Sequence, residues 1–204
     1  LTTAPELPAT YINCWHCYQS MFEGCINLVN APSVLPATTI QYSAYVSMFE
    51  GCTSLVNPPI IKVKYFGSYH GHMYRMFKNC TSLVSAPNLP ATTLAKYCYY
   101  YMFEDCSNLK NIPSVLPAMT LKEYCYHGMF SGCNSLTSTP ELPATTLAES
   151  CYSSMFRECS ILTTAPKLPA TVLATSCYSQ MFMSCYKLTS APSLLAPTLT
   201  NNCY

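Results

Sequence analysis

Charge is the scarcest property of this chain. Only 9% of its 204 residues are charged, with ten Lys and Arg against nine Asp and Glu, well below the usual quarter. A net charge of +1, with no Lys/Arg cluster, gives no field to draw in a polyanion, so nucleic acid is excluded as a partner. No apolar run approaches the ~18–20 residues that a membrane span needs. The sequence opens on Leu1 rather than an initiator Met, and no signal peptide is expected within it. Catalysis needs single-copy constellations of Cys, His and Asp, and the chain offers periodic copies instead. No catalytic residue, metal or cofactor is expected. Half the residues are hydrophobic, enough for a continuous core. The polar surface must come largely from Ser, Thr, Asn and Tyr.

What is present is a repeat. The pair Met-Phe recurs as Met21-Phe22, Met48-Phe49, Met76-Phe77, Met102-Phe103, Met129-Phe130, Met155-Phe156 and Met181-Phe182, in steps of 27, 28, 26, 27, 26 and 26 residues. A fixed period of this size predicts a solenoid in which each unit packs only on its neighbours. The length alone would suggest one or two domains. The repeat makes residues 1–204 a single array of about seven to eight units. The opening string L-T-T-A-P-E-L-P-A-T reappears almost unchanged at 162–171, and the final Cys203-Tyr204 matches Cys177-Tyr178 in the middle of a unit. Both ends are therefore expected to be cut within a repeat of a longer protein, since solenoids need polar caps.

The cleanest unit is 140–164, P-E-L-P-A-T-T-L-A-E-S-C-Y-S-S-M-F-R-E-C-S-I-L-T-T. Leu147, Cys151, Met155 and Cys159 are spaced by four, with Ala148, Tyr152 and Phe156 beside them. That pattern predicts a short core-facing helix, with Thr145 or Thr146 as its cap and Glu149 completing a capping box. Leu162-Thr163-Thr164-Ala165 is predicted to be a short strand stopped by Pro166, with 166–169 an extended return. The third unit departs most: 58–75 reads P-P-I-I-K-V-K-Y-F-G-S-Y-H-G-H-M-Y-R. It lacks the Leu-Pro-Ala-Thr turn, and 60–66 is strand-like before a Gly-rich bend.

The motif M-F-x-G-C-x-S-L, carried best by 48–55, followed by a short strand, resembles the BspA-like leucine-rich repeats of bacterial surface proteins. The likeness covers essentially the whole chain. It implies an α/β solenoid, a right-handed leucine-rich-repeat-like array of about 26-residue units, with short parallel strands on one face and short helices on the other. It also implies an extracellular or bacterial cell-surface location, further domains in the parent chain, and a role in adhesion.

Seven of the fourteen cysteines follow each Met by four residues: Cys25, Cys52, Cys80, Cys106, Cys133, Cys159 and Cys185. Six precede a Met position by four: Cys17, Cys98, Cys125, Cys151, Cys177 and Cys203. The second column is replaced by Ala44 and His72 while Cys52 and Cys80 remain, so the two columns do not pair obligately. Bridging along one column is awkward, because in-register side chains point the same way while a bridge needs Cβ atoms ~3.8 Å apart. Buried free thiols acting as small hydrophobes are the expectation, ahead of disulfides or metal. Cys14-Trp15-His16-Cys17 has C-x-x-C spacing but no second pair, a weak zinc or redox signal. His70-Gly71-His72 offers two metal ligands and no third, so His72 is expected to fill the Cys slot and His70 to lie in a solvated bend.

The positions one and two before each Met are expected to face outward. Tyr74, Arg75, Tyr100, Tyr101 and His127 fall there in consecutive units and should form one patch, extended by Tyr65 and Tyr69. Tyr and Arg are the residues enriched at binding hot spots. A second column, Asn30, Asn57, Ser85, Asn111, Ser138, Thr164 and Ser190, should form a polar ladder on the strand face. The expected function is a non-catalytic surface or secreted module binding a host or matrix protein, or a glycan. A passive structural spacer is the alternative, and a thiol- or metal-dependent enzyme the least favoured.

Overall fold

A computed structural model describes residues 1–204. The chain winds as a solenoid-like stack of coils, numbered here 1 to 7 by the Met-Phe pair each contains. One core of 57 buried residues runs from Ala4 to Cys203. Repeated positions stack in columns. The Phe column from Phe22 to Phe182 places successive rings 5.4–6.0 Å apart and within 10° of parallel. The tyrosines three residues before Met stack at 5.6–5.9 Å for Tyr18–Tyr45 and again from Tyr99 through Tyr126, Tyr152 and Tyr178 to Tyr204. Met73 takes that place in coil 3. Aromatic pairs of this kind contribute roughly 0.5–1.5 kcal/mol each beyond their buried area.

The segment predicted to be helical is not a helix, and no helix occurs in the chain. It is a ribbon of consecutive turns. In coil 6, Ser153 N–H donates to Ser150 O, Met155 to Tyr152 and Arg157 to Ser154, at 3.0–3.3 Å. The intervening amides point out of the coil: Tyr152 donates to Cys177 O, Ser154 to Ser179 O and Phe156 to Met181 O, at 2.8–3.0 Å. Amides thus alternate between closing a turn and bonding the next coil, which satisfies the backbone without an i→i−4 ladder. Every fourth residue is left-handed, as at Ser150 (φ 50°), Ser154 (φ 55°) and Glu158 (φ 63°). Such a residue at the third position is the mark of a type II turn. Thr146, expected as a helix cap, pairs in parallel with Val172 of the next coil.

Strands are equally short. They are β1 (Tyr11–Ile12), β2 (Val34–Leu35), β3 (Thr39–Ile40), β4 (Ile60–Ile61) and β5 (Tyr65–Phe66). β1, β3 and β5 form one parallel sheet, and β2 and β4 another. β2 lies in the stretch expected to be only an extended return, and β1 and β3 lie where the predicted helix would begin, whereas 162–165 forms no strand. The two strands of 60–66 agree with the strand-like reading of the third unit. The Asn/Ser column contributes single bridges, Thr3–Asn30–Asn57 and Ser85–Asn111. Its side chains bond one another: Asn30 donates to Thr3 at 3.2 Å, Asn57 to Asn30 at 2.7 Å and Asn111 to Ser85 at 3.0 Å. The polar ladder forms at these positions, its amides engaged with their neighbours, but it is interrupted between Asn57 and Ser85 and does not extend to Ser138, Thr164 and Ser190.

Candidate functional site

The turn ribbon decides which side chains share a face. With a four-residue period, positions five and one before Met lie on the same edge, both left-handed. In coils 4 and 5 these are Tyr97 and Tyr101, then Tyr124 and Gly128. Five of the seven predicted residues come together here. Tyr100 is sandwiched between Tyr74 (5.0 Å, near-parallel) and His127 (4.8 Å, near-parallel). Tyr101 meets Tyr100 and His127 edge-on at 4.5 and 5.1 Å, and its Oη lies 3.2 Å from His127 Nε2. The Arg75 guanidinium sits 4.9 Å over the Tyr74 ring.

Tyr97 and Tyr124 belong to the same cluster and were not anticipated. They stack at 4.9 Å, and Tyr97 meets Tyr100 edge-on at 5.5 Å. The signal that would have found them is the spacing of four from Tyr101 and Gly128. Gly128 has its own part: a Cβ there would fall 2.1 Å from the Tyr101 ring, so that ring lies flat on bare backbone. Lys78 pairs with Glu104 and reaches over Tyr101 at 5.9 Å. The cluster is half-buried. Burial pushes Tyr100 up to about 12 and holds His127 down to about 4, so both are neutral at physiological pH.

Tyr65 and Tyr69 do not join this patch. Tyr65 is exposed on β5 and stacks on none of its rings. Tyr69 packs against Tyr42 at 4.4 Å and Trp15 at 4.8 Å, and Trp15 meets Tyr42 at 4.3 Å. This second, more open cluster spans coils 1 to 3, with Trp15 59% exposed.

Twelve cysteines are free, all buried except the half-buried Cys25. Cys14 and Cys17 are bridged, with Cα atoms 5.7 Å apart. The column after Met is a hydrogen-bonded ladder. Each thiol from Cys52 to Cys185 donates to a Phe carbonyl of the preceding coil, Phe22, Phe49, Phe77, Phe103, Phe130 and Phe156, at 3.0–3.2 Å. Thiols of the other column make only long contacts, 3.9 Å from Cys98 to Cys125 O and 3.6 Å from Cys177 to Cys203 O. This explains why Ala44 and His72 replace Cys in one column and nothing replaces it in the other. Burial raises these thiols, Cys52 to about 12 and Cys80, Cys125, Cys133 and Cys151 far above the usual range.

His72 fills the Cys slot, fully buried, with its ring 5.1 Å from Phe66. Burial lowers it to about 4. His70 is exposed, its carbonyl accepting from Ser43 Oγ at 2.9 Å. Nowhere do three His, Cys, Asp or Glu side chains come together in a metal-holding group.

The family model for the BspA type leucine rich repeat region matches six copies, over residues 16–139 and 73–189. No curated protein and no solved structure matches the chain. The overlapping matches span residues 16–189, most of the chain and all seven Met-Phe pairs, so the chain belongs to the BspA type leucine-rich repeat family.

Proposed function

We propose that the chain is a surface-displayed, non-catalytic recognition module. It binds a protein partner through the turn-ribbon face of coils 3 to 5. The observation that carries this is the aromatic cluster of Tyr74, Tyr97, Tyr100, Tyr101, Tyr124 and His127, which no other stretch of the ribbon repeats; the corresponding places in coils 6 and 7 hold Ser150, Ser153, Ser154, Ser176, Ser179 and Gln180. Tyr supplies large contact area at small conformational cost. Because the rings cover one another's faces, the patch presents ring edges and hydroxyls. That favours the mixed apolar and polar surface of a protein over a sugar ring, which needs an open face.

Buried thiols with raised pKa values supply no thiolate nucleophile at neutral pH, which supports the non-catalytic reading. A glycan is the second reading, favoured by the exposure of Trp15 and Tyr69 in the more open cluster.

The test is a panel of matrix proteins and glycans probed with the wild type, Tyr100→Ala, and Trp15→Ala with Tyr69→Ala. Loss of a protein signal by ~30-fold or more in Tyr100→Ala, the effect of a hot spot worth ~2 kcal/mol, is the expected result. Loss of a glycan signal only in the Trp15/Tyr69 variant favours the second reading. Absence of any binding by the wild type favours a passive spacer.

A further inference from the structure

The stack is not uniform on its strand side. Between coils 2 and 3 the backbone is bonded from end to end of that side: Ile60 donates to Ser33 O, Lys62 to Leu35 O, Tyr65 to Thr38 O and Gly67 to Ile40 O. Between coils 3 and 4 these bonds cease. From position 58 to 70 no backbone hydrogen bond reaches coil 4, and the polar ladder breaks between Asn57 and Ser85. Bonding resumes only on the ribbon, with Gly71 donating to Lys96 O.

The cause is local. Coil 3 replaces the Leu-Pro-Ala-Thr turn with true strands, while coil 4 returns to that turn at 89–92. In a parallel ladder alternate residues face opposite sides. With Ile60, Lys62, Tyr65 and Gly67 committed to coil 2, the N–H and C=O of Ile61 and Phe66 face the gap without a partner.

The gap holds space. A cavity of about 500 Å³ lies between 66–70 on coil 3 and Thr93, Ala95 and Lys96 on coil 4, with Lys122 and Glu123 at its far wall. A smaller one, about 160 Å³, continues between Pro58–Ile61 and Pro87–Asn88. The charge is one-sided. Lys62 and Lys64 are exposed on the stretch between β4 and β5, and Lys96 and Lys122 line the larger cavity; Glu123 is the one acid among them. These four are lysines in a chain with ten cationic residues in all.

We infer that the gap between coils 3 and 4 is a docking cleft for an acidic peptide in extended conformation. Its backbone pairs with the free edge at Ile61 and Phe66, and its carboxylates meet Lys62, Lys64, Lys96 and Lys122. Strand addition of this kind draws affinity from main-chain hydrogen bonds and specificity from the flanking side chains. The cleft shares no residue with the Tyr74–His127 cluster, although it adjoins it where Lys96 lies over the Tyr97 ring at 5.5 Å.

The experiment uses the whole chain and a fluorescein-labelled decapeptide of alternating Thr and Asp, read by fluorescence polarisation. Two comparison peptides and a competitor accompany it: the Thr/Lys counterpart, the Thr/Asp peptide N-methylated at alternate residues, and a sulfated oligosaccharide. Binding of the Thr/Asp peptide is expected, weakened at least tenfold by N-methylation, by Lys replacement, and by K96E with K122E in the protein. It is expected to be unchanged in Tyr100→Ala. Equal binding of the N-methylated peptide overturns the strand pairing. Equal binding of the Lys peptide, or none by any peptide, overturns the acidic-peptide assignment. Displacement by the oligosaccharide at lower concentration than by unlabelled peptide assigns the cleft to anionic glycans instead.

Discussion

Replacing Gln180 by Gly and by Ala sets the turn ribbon against a helix, because the two geometries order these variants oppositely. Gln180 is exposed and sits at φ 57°, in the column that Gly128 occupies in coil 5. An L-residue held left-handed is strained by about 1 kcal/mol or more, a strain that Gly does not feel. In the ribbon, Gln180→Gly should therefore be more stable than Gln180→Ala by about 1 kcal/mol. Within a helix, Gly is less favourable than Ala by about 0.8–1.0 kcal/mol. The two geometries thus differ by roughly 2 kcal/mol in the Gly-minus-Ala difference. For a chain of this size 1 kcal/mol moves the melting midpoint by roughly 2–4 °C. Thermal and urea midpoints of the two variants give the answer, and Ser20, at φ 52° in coil 1, allows the same comparison at the other end of the stack. An Ala variant as stable as the Gly variant, or more stable, at both positions refutes the ribbon.

Other outcomes follow from the packing. Cys106→Ala loses the thiol bond to Phe77 O as well as volume, whereas Cys98→Ala loses volume with only a long contact. The Cys106 variant should be the less stable by about 0.5–1.5 kcal/mol, the net value of a typical hydrogen bond, measured by urea denaturation. Free-thiol titration should find at most Cys25 reactive in the native chain and twelve thiols after denaturation without reductant; fast reaction of further native thiols would contradict their burial. His72 and His127 both have folded pKa values lowered to about 4 by burial. The unfolded chain therefore binds more protons than the folded one between about pH 6.5 and pH 4. Stability should be full above that window and fall as pH drops through it, and His72→Cys should remove part of the slope in a series of melting curves. Gly128→Ala should displace the Tyr101 ring, detectable as increased Tyr101 mobility and weaker partner binding with the stack intact.

The repeat, its period and its buried columns were legible because they follow from apolar spacing alone. The local geometry was misread because a helix and a four-residue turn ribbon both put positions four apart on one side. The distinguishing detail was present. A helix turns about 100° per residue, so positions four apart drift by about 40° at each step. The spacing 147, 151, 155, 159 holds its face without drift, as only a strict four-residue repeat can. The column Gly24, Gly51, Asn79, Asp105 and Gly132 holds, in five of the seven units, residues that tolerate positive φ in the place where a ribbon needs them, with Glu158 and Ser184 in the other two.

The aromatic patch was half legible. Tyr74, Arg75, Tyr100, Tyr101 and His127 were found by counting from Met. Tyr97 and Tyr124 were missed because only the two positions before each Met were counted, although the spacing of four from Tyr101 and Gly128 puts them on the same side. Tyr65 and Tyr69 could not be placed by counting, since the third unit abandons the turn that keeps register. The break between coils 3 and 4 depends on which backbone amides find partners, a property that no single unit's sequence displays.

Far-UV circular dichroism of the folded chain tests the architecture most directly. The ribbon account predicts no paired minima of α-helix and a spectrum dominated by turns and aromatic contributions. A spectrum with the paired minima of a chain carrying a helix in each of seven units would contradict it.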